Sequence, residues 1–91
     1  MDFEWDDAKS DARRVSDGFG FDYAALIFAG PILEWPDERR DYGEHRVIAL
    51  GAVDDDVLVV VYTDRGTVRR IISARPAGRK ERQKWRSFAG L

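Results

Sequence analysis

Between positions 57 and 63 the chain reads VLVVVYT, and apolar side chains fill both alternating sets, Val57, Val59 and Val61 on one and Leu58, Val60 and Tyr62 on the other. A strand that is apolar on both sides is covered on both, so this segment is expected at the centre of a sheet. Two further strands are read at 45–53 and 67–75, separated from the first by DDD (54–56) and DRG (64–66). Both separators are turn sequences of hairpin length, which predicts an antiparallel three-strand meander.

Upstream, DDAKSDARRV begins with acids and ends with arginines, the order that suits a helix dipole, with Asp6 or Asp7 as the cap. Gly18 and Gly20 in SDGFGF end that helix. DYAALIFAG then reads as a short buried helix stopping at Gly30-Pro31, and PILEWPDERRDYGE as a surface loop with room for a short strand at 32–35. Ahead of all these lies DFEW, a short amino-terminal strand. Beyond Pro76 and Gly78, RKERQKWRSF predicts a carboxyl-terminal helix with Trp85 and Phe88 on its inner side near Glu81, and Arg79, Arg82 and Arg86 in a stripe along another. The expected fold is α+β in one domain spanning 1–91: an antiparallel sheet, formed by the meander and the short amino-terminal strand, with two amino-terminal helices and a carboxyl-terminal helix. Two early helices cover one sheet face, which leaves the other partly open beside the basic last helix.

Composition adds constraints. The 91 residues include no cysteine, so neither a disulfide nor a thiolate metal site can staple the fold. The apolar runs VLVVVY and AALIFA fall well short of the roughly 20 residues that span a bilayer, and the amino terminus is acidic where a signal peptide would be basic. A soluble, cytoplasmic protein is expected, with no membrane partner. The net charge of −2 conceals a division: residues 1–64 carry six Lys/Arg against sixteen Asp/Glu, and residues 65–91 carry nine Lys/Arg against the single Glu81. A basic end on an acidic body can bind nucleic acid, an acidic protein, or its own acidic half.

The residue inventory narrows the chemistry. His45 is the only histidine, and with Asp41 and Glu44 beside it in a loop it makes a poor metal site, so neither metal nor cofactor is expected. There is no H-E-x-x-H, P-loop or G-x-G-x-x-G sequence, and Ser73 has no second histidine as a dedicated base. Arginines, by contrast, suffice for much of RNA cleavage. When a ribose 2′-hydroxyl attacks the neighbouring phosphate, negative charge builds on the phosphoryl oxygens, and guanidinium groups stabilise it with paired donors. Arg70, Arg75 and Arg82 are candidate phosphate clamps, Glu81 a candidate base, and His45 or Tyr62 candidate proton-handling groups. Each has a plainer alternative: Glu81 can pair with an arginine of its own helix, Tyr62 can be core, and Trp5, Trp35 and Trp85 can be packing. Strict alternation along the last strand puts Arg70 on the face of Val68 and Ile72 and puts Arg69, Ser73 and Arg75 on the other. On that reading the clamps share a site only if the strand twists or ends near Arg75.

Five segments in order, FEWDDAK, DYAALIF, DYGEHRVIALG, VVVYTDRG and RRIISARPAGRKER, give the chain a whole-length similarity. It resembles the BrnT family of type II toxins, small ribonucleases held inactive by the antitoxin BrnA. The resemblance implies a RelE-like fold and metal-independent endonucleolytic cleavage of RNA that blocks translation. It also implies a hetero-oligomer with a BrnA-like antitoxin, and DNA contact only through that antitoxin. The family's charged pattern falls on Arg46, Arg65, Arg70, Arg75, Glu81 and Arg82. The expected catalytic set is therefore Arg70, Arg75, Glu81, Tyr62 and His45, with Arg46, Arg65, Arg79, Arg82 and Arg86 binding RNA. The rival reading is a non-catalytic RNA- or protein-binding module within a toxin-antitoxin repressor complex. No helix-turn-helix pattern with a basic recognition helix occurs in the sequence.

Overall fold

A computed structural model describes residues 1–90 of the chain. Strand β1 (Asp2–Trp5) leads into helix α1 (Asp7–Asp17), which the Asp6 side chain caps by accepting the Lys9 backbone N–H at 3.0 Å. Gly18 closes the helix with φ of 80°, a left-handed conformation that glycine adopts without strain. Next comes α2 (Phe21–Ala24), a single α-helical turn that tightens directly into a 3-10 segment, Ala25–Ala29. After β2 (Leu33–Pro36) the chain forms β3 (Val47–Val53), β4 (Asp56–Arg65) and β5 (Val68–Pro76), and it finishes in α3 (Arg79–Ala89).

The strands form one sheet in the order β1-β5-β4-β3-β2. The expected meander is its centre, as β3, β4 and β5 pair antiparallel in sequence order. The sheet as a whole departs from expectation in two ways. It is mixed, because β1 runs parallel to β5 in the register Asp2↔Val68 to Trp5↔Ile71. No hairpin joins these two strands, so nothing local fixes their relative direction. It is also five-stranded, because the short strand given room at 32–35 forms as β2 and joins the sheet, which was expected to hold only the meander and the amino-terminal strand; β2 pairs antiparallel to β3 from Leu33↔Leu50 to Pro36↔Val47. Pro36 ends that edge strand, a position where its missing N–H costs no ladder bond. The second helix is correspondingly shorter than expected, since half of DYAALIFAG is 3-10.

The sheet divides the core. On one side Phe21, Ala24 and Ile27 pack on Leu58, Val60, Tyr62, Ile71 and Ala74. Burying an Ile or Leu side chain contributes roughly 1.5–3 kcal/mol, so this larger cluster carries most of the fold's stability. Gly51 lets the 3-10 segment close on β3: a Cβ there would sit 2.8 Å from Ile27 Cβ. On the other side Leu50, Val59, Ala77 and Trp85 form a smaller cluster, with Leu33, Trp35 and Ile48 at its margin. Among the described residues α3 is the helix that packs on this cluster, and it does so through Trp85. Phe88, expected on the same inner side, is 45% exposed and leans on the Trp85 ring at 5.5 Å.

One irregularity rearranges the last strand. The β4–β5 pairing steps from Val61↔Ser73 to Tyr62↔Ile71, so Ile72 has no opposite number and forms a bulge. A one-residue insertion flips every side chain beyond it. Arg69 and Ile71 therefore lie on the helix-covered side with Ala74. Arg70, opposite Thr63, lies on the other side with Ser73 and Arg75. The alternation expected from sequence, with Arg70 and Arg75 on opposite faces, is thus corrected by the bulge. No helix among the described residues is long and apolar enough to cross a membrane.

Candidate active site

Arginines converge on the sheet face that α3 covers only at one end. Arg70 and Arg75 come from β5, Arg65 from the end of β4, Arg46 from the residue before β3, and Arg39 from the connection between β2 and β3. That connection is fixed in shape by the chain itself. The Asp37 N–H donates to the Arg46 carbonyl at 2.8 Å, and Gly43, at φ of 70°, donates its N–H to Asp41 Oδ1 at 2.9 Å.

The face has two parts. In the first, Glu44 accepts from Arg46 Nε at 2.9 Å and lies 3.6 Å from Arg65, while Glu4 of β1 lies 3.8 Å from Arg65 and 3.7 Å from Arg70. Two carboxylates thus hold three guanidiniums together against their mutual repulsion. The Arg46 hydrogen bond, and then the charges of Arg46 and Arg65, keep the Glu44 carboxyl below its ordinary range. The Arg46 guanidinium also stacks on the Tyr42 ring, 4.1 Å from its centroid. Tyr42, Glu44, Arg46 and Arg65 border a hollow of about 360 Å3 that Lys9 and Arg70 also line. The contacts to Arg65 and Arg70 are long, so both retain donors for an incoming anion.

In the second part, Arg75 presents both terminal nitrogens to Glu81 at 2.7 Å each, a fork-to-fork pair. Glu81 also accepts the Gly78 N–H at 2.8 Å, which ties the first turn of α3 to the pair. The Arg75 hydrogen bond is the main cause that lowers the Glu81 carboxyl below its ordinary range, so Glu81 is ionised at neutral pH. Beside it Arg39 gives Nε and Nη2 to the buried carboxylate of Asp37 at 2.7 and 2.8 Å. That bond pulls the Asp37 pKa down to about 2.

The expected residues divide accordingly. Arg46, Arg65, Arg70, Arg75 and Glu81 share this face. Tyr62 does not: its hydroxyl donates to Glu34 at 2.6 Å on the helix-covered side, and Arg69 stacks 3.9 Å above its ring. Burial, then the Glu34 bond, raise its pKa above the ordinary phenol value. Arg69 is itself held there by two bonds to Asp64, at 2.8 and 2.9 Å. His45 is exposed, and its carbonyl accepts the Thr63 hydroxyl at 2.7 Å. Arg82 donates to the Ala77 carbonyl at 3.1 Å and borders a separate hollow with Arg14 and Tyr23. Arg79 and Arg86 are exposed on α3. Sequence reasoning missed Arg39, Tyr42 and Glu4. All three lie outside the basic carboxyl-terminal segment, and only the folded connection and the parallel β1 bring them in. Among the described residues, no three acidic or histidine side chains come together as a metal-holding group.

The protein is thus α+β, with an arginine-lined and partly uncovered sheet face. The sequence model of the family described as "Ribonuclease toxin, BrnT, of type II toxin-antitoxin system" matches residues 5–81. The chain belongs to that family of ribonuclease toxins, and membership implies an antitoxin as partner. Comparison with curated proteins gives no match.

Proposed function

We propose that the chain is a metal-independent endoribonuclease that works through the arginine face, arrests translation by cutting RNA, and is neutralised in the cytoplasm by a BrnA-like antitoxin. The single observation behind this reading is the bulge at Ile72, which brings Arg70 to the same face as Arg75, Arg65 and Arg46. In the proposed reaction the RNA phosphate lies between Arg70 and Arg75. The ribose 2′-oxygen bonds to phosphorus as the bond to the 5′-oxygen breaks, leaving a 2′,3′-cyclic phosphate and a 5′-hydroxyl. Arg70 and Arg75 stabilise the charge that grows on the phosphoryl oxygens. Glu81, ionised beside Arg75, accepts the 2′-hydroxyl proton, and the exposed His45 supplies the proton to the leaving oxygen. Arg46 and Arg65 hold flanking phosphates, and Arg79, Arg82 and Arg86 of α3 give longer-range attraction. Tyr62 has no part in this scheme.

The fold supports a RelE-like kinship, with helices on one sheet face and a basic site on the other. The antitoxin is proposed to cover the arginine face with an acidic segment and to supply any DNA contact of the hetero-oligomer. Expression of Arg70→Ala, Arg75→Ala and Glu81→Ala in growing cells tests the scheme: each should relieve growth arrest, and undiminished arrest by all three would overturn it. A second reading has its own observation. Arg75 and Glu81 neutralise each other at 2.7 Å, as expected of a module that binds RNA without moving protons. Purified chain that retains RNA intact would favour that module.

A further inference from the structure

The hollow of about 240 Å3 at the α3 end of the arginine face is chemically unlike the rest of it. Ile48, Val59 and Val61 form an apolar floor, and the indole of Trp35 makes a wall. Arg39, Ser73, Arg75 and Glu81 supply the polar groups. A phosphate gains nothing from an aliphatic floor and an indole wall, whereas an unstacked nucleobase gains from both. The Lys84 ammonium lies 4.7 Å from the Trp35 ring centroid and holds the indole in place.

The polar groups also discriminate among bases. The Glu81 oxygens already accept from Arg75 and from the Gly78 N–H, which leaves one lone pair of Oε2, the one the proposed reaction uses for the 2′-hydroxyl proton, and none for reading a base. Arg39 is different. It holds Asp37 with Nε and one hydrogen of Nη2, and the opposite edge of its guanidinium, Nη1 with the second Nη2 hydrogen, remains available as a fork of two donors. Its side chain is 66% exposed, so that edge can be reached. Asp37, buried and charged, fixes the orientation. A two-donor fork matches adjacent acceptors, and among the RNA bases guanine offers O6 and N7. Cytosine has one such pair as well, O2 and N3, but a smaller ring to stack on the indole, whereas adenine and uracil have none.

We propose that this hollow is a base-binding pocket for a guanine of single-stranded RNA, stacked on Trp35 and read by Arg39. The proposal rests on the ribonuclease reading for its RNA ligand and adds a residue, Arg39, that sets sequence preference. The pocket adjoins Arg75, so the guanine it holds lies next to the phosphate that is cut.

The test uses 2′-O-methyl uridine hexamers with a central guanine, adenine, cytosine or uracil, in which the blocked 2′-oxygen prevents cleavage. Fluorescence anisotropy should show the guanine hexamer binding about tenfold or more tightly than the adenine and uracil hexamers, and more tightly than the cytosine one. Trp35→Ala should weaken all four, and Arg39→Ala should abolish the guanine preference, weakening the guanine hexamer more than the adenine and uracil ones. Because Arg39→Ala leaves Asp37 buried without its partner, Arg39→Lys is the second variant: it keeps a cation beside Asp37, lacks the fork, and should also lose the preference. Equal affinity of the wild-type chain for all four hexamers, or a guanine preference intact in Arg39→Lys, would overturn the proposal. Failure of the ribonuclease reading looks different: unmodified RNA stays intact while guanine-selective binding persists.

Discussion

Arg69 and Arg70 are neighbours in sequence, and the bulge gives them opposite consequences. Arg70 lies on the open face, and its nearest carboxylate, Glu4, is 3.7 Å away. An exposed pair at that distance contributes about 0–1 kcal/mol, so Arg70→Ala should leave the melting temperature within a few degrees of wild type. If Arg70 stabilises the phosphoryl transition state, its removal should cost roughly 2.7–4 kcal/mol of activation free energy, about 100- to 1000-fold in cleavage rate. Arg69 has the reverse profile. It makes two charge-assisted bonds to Asp64 and stacks on Tyr62 and Phe28, at 3.9 and 4.8 Å from the ring centroids. Asp64 is half exposed, which discounts the ion pair, and together these contacts amount to about 2 kcal/mol. For a domain of this size that lowers the melting temperature by roughly 8–16 °C, with cleavage at low temperature unchanged. The assay pairs thermal unfolding by circular dichroism with cleavage of a short fluorescent RNA well below the transition. Loss of cleavage in folded Arg69→Ala together with full activity in Arg70→Ala would show that the faces have been assigned the wrong way round.

Three other outcomes follow from the same geometry. Arg46→Ala and Arg65→Ala should each flatten the plot of log binding constant against log salt by about 0.7, the slope per phosphate contact to a single strand, and an unchanged slope would remove that residue from the RNA path. Asp37, whose pKa falls from an ordinary 3.8 to about 2 when folded, favours the native state fully above about pH 4 and loses that contribution as the pH falls toward 2. Asp37→Asn should therefore flatten the stability profile between pH 4 and 2, and an unaltered profile would count against the Arg39 pair. Gly51→Ala sets a methyl 2.8 Å from Ile27 Cβ and should destabilise by about 1–3 kcal/mol in denaturant titration; a neutral result would mean the 3-10 segment shifts freely.

Much of the fold can be read from the chain because its signals are local. The doubly apolar VLVVVYT identifies the central strand, the two acidic or glycine-bearing turns set the meander, and Pro76 with Gly78 separates β5 from α3. What escapes is non-local or masked. The direction of β1 depends on pairing with a strand more than sixty residues away. Strand β2 is legible only as a short strand at 32–35, and its place at the sheet edge is not, because four residues ending in proline are too few to show which neighbour they pair with. The bulge is the instructive miss. Ile71 and Ile72 are adjacent apolar residues, and a regular strand with one polar face would not carry them side by side. Their adjacency was the available sign that the alternation slips there, and with it the sign that Arg70 and Arg75 share a face. Arg39 had no such sign, because in DERRDYGEHR it is one charge among many until Asp37 fixes it.

The most direct measurement is the chemistry of the ends left on RNA by the purified, antitoxin-free chain in excess chelator, read by mass spectrometry. The proposed mechanism predicts cut RNA bearing 2′,3′-cyclic phosphate and 5′-hydroxyl ends, strongly reduced in Arg70→Ala. Intact RNA, cleavage that requires an added metal ion, or products ending in 5′-phosphate would contradict it.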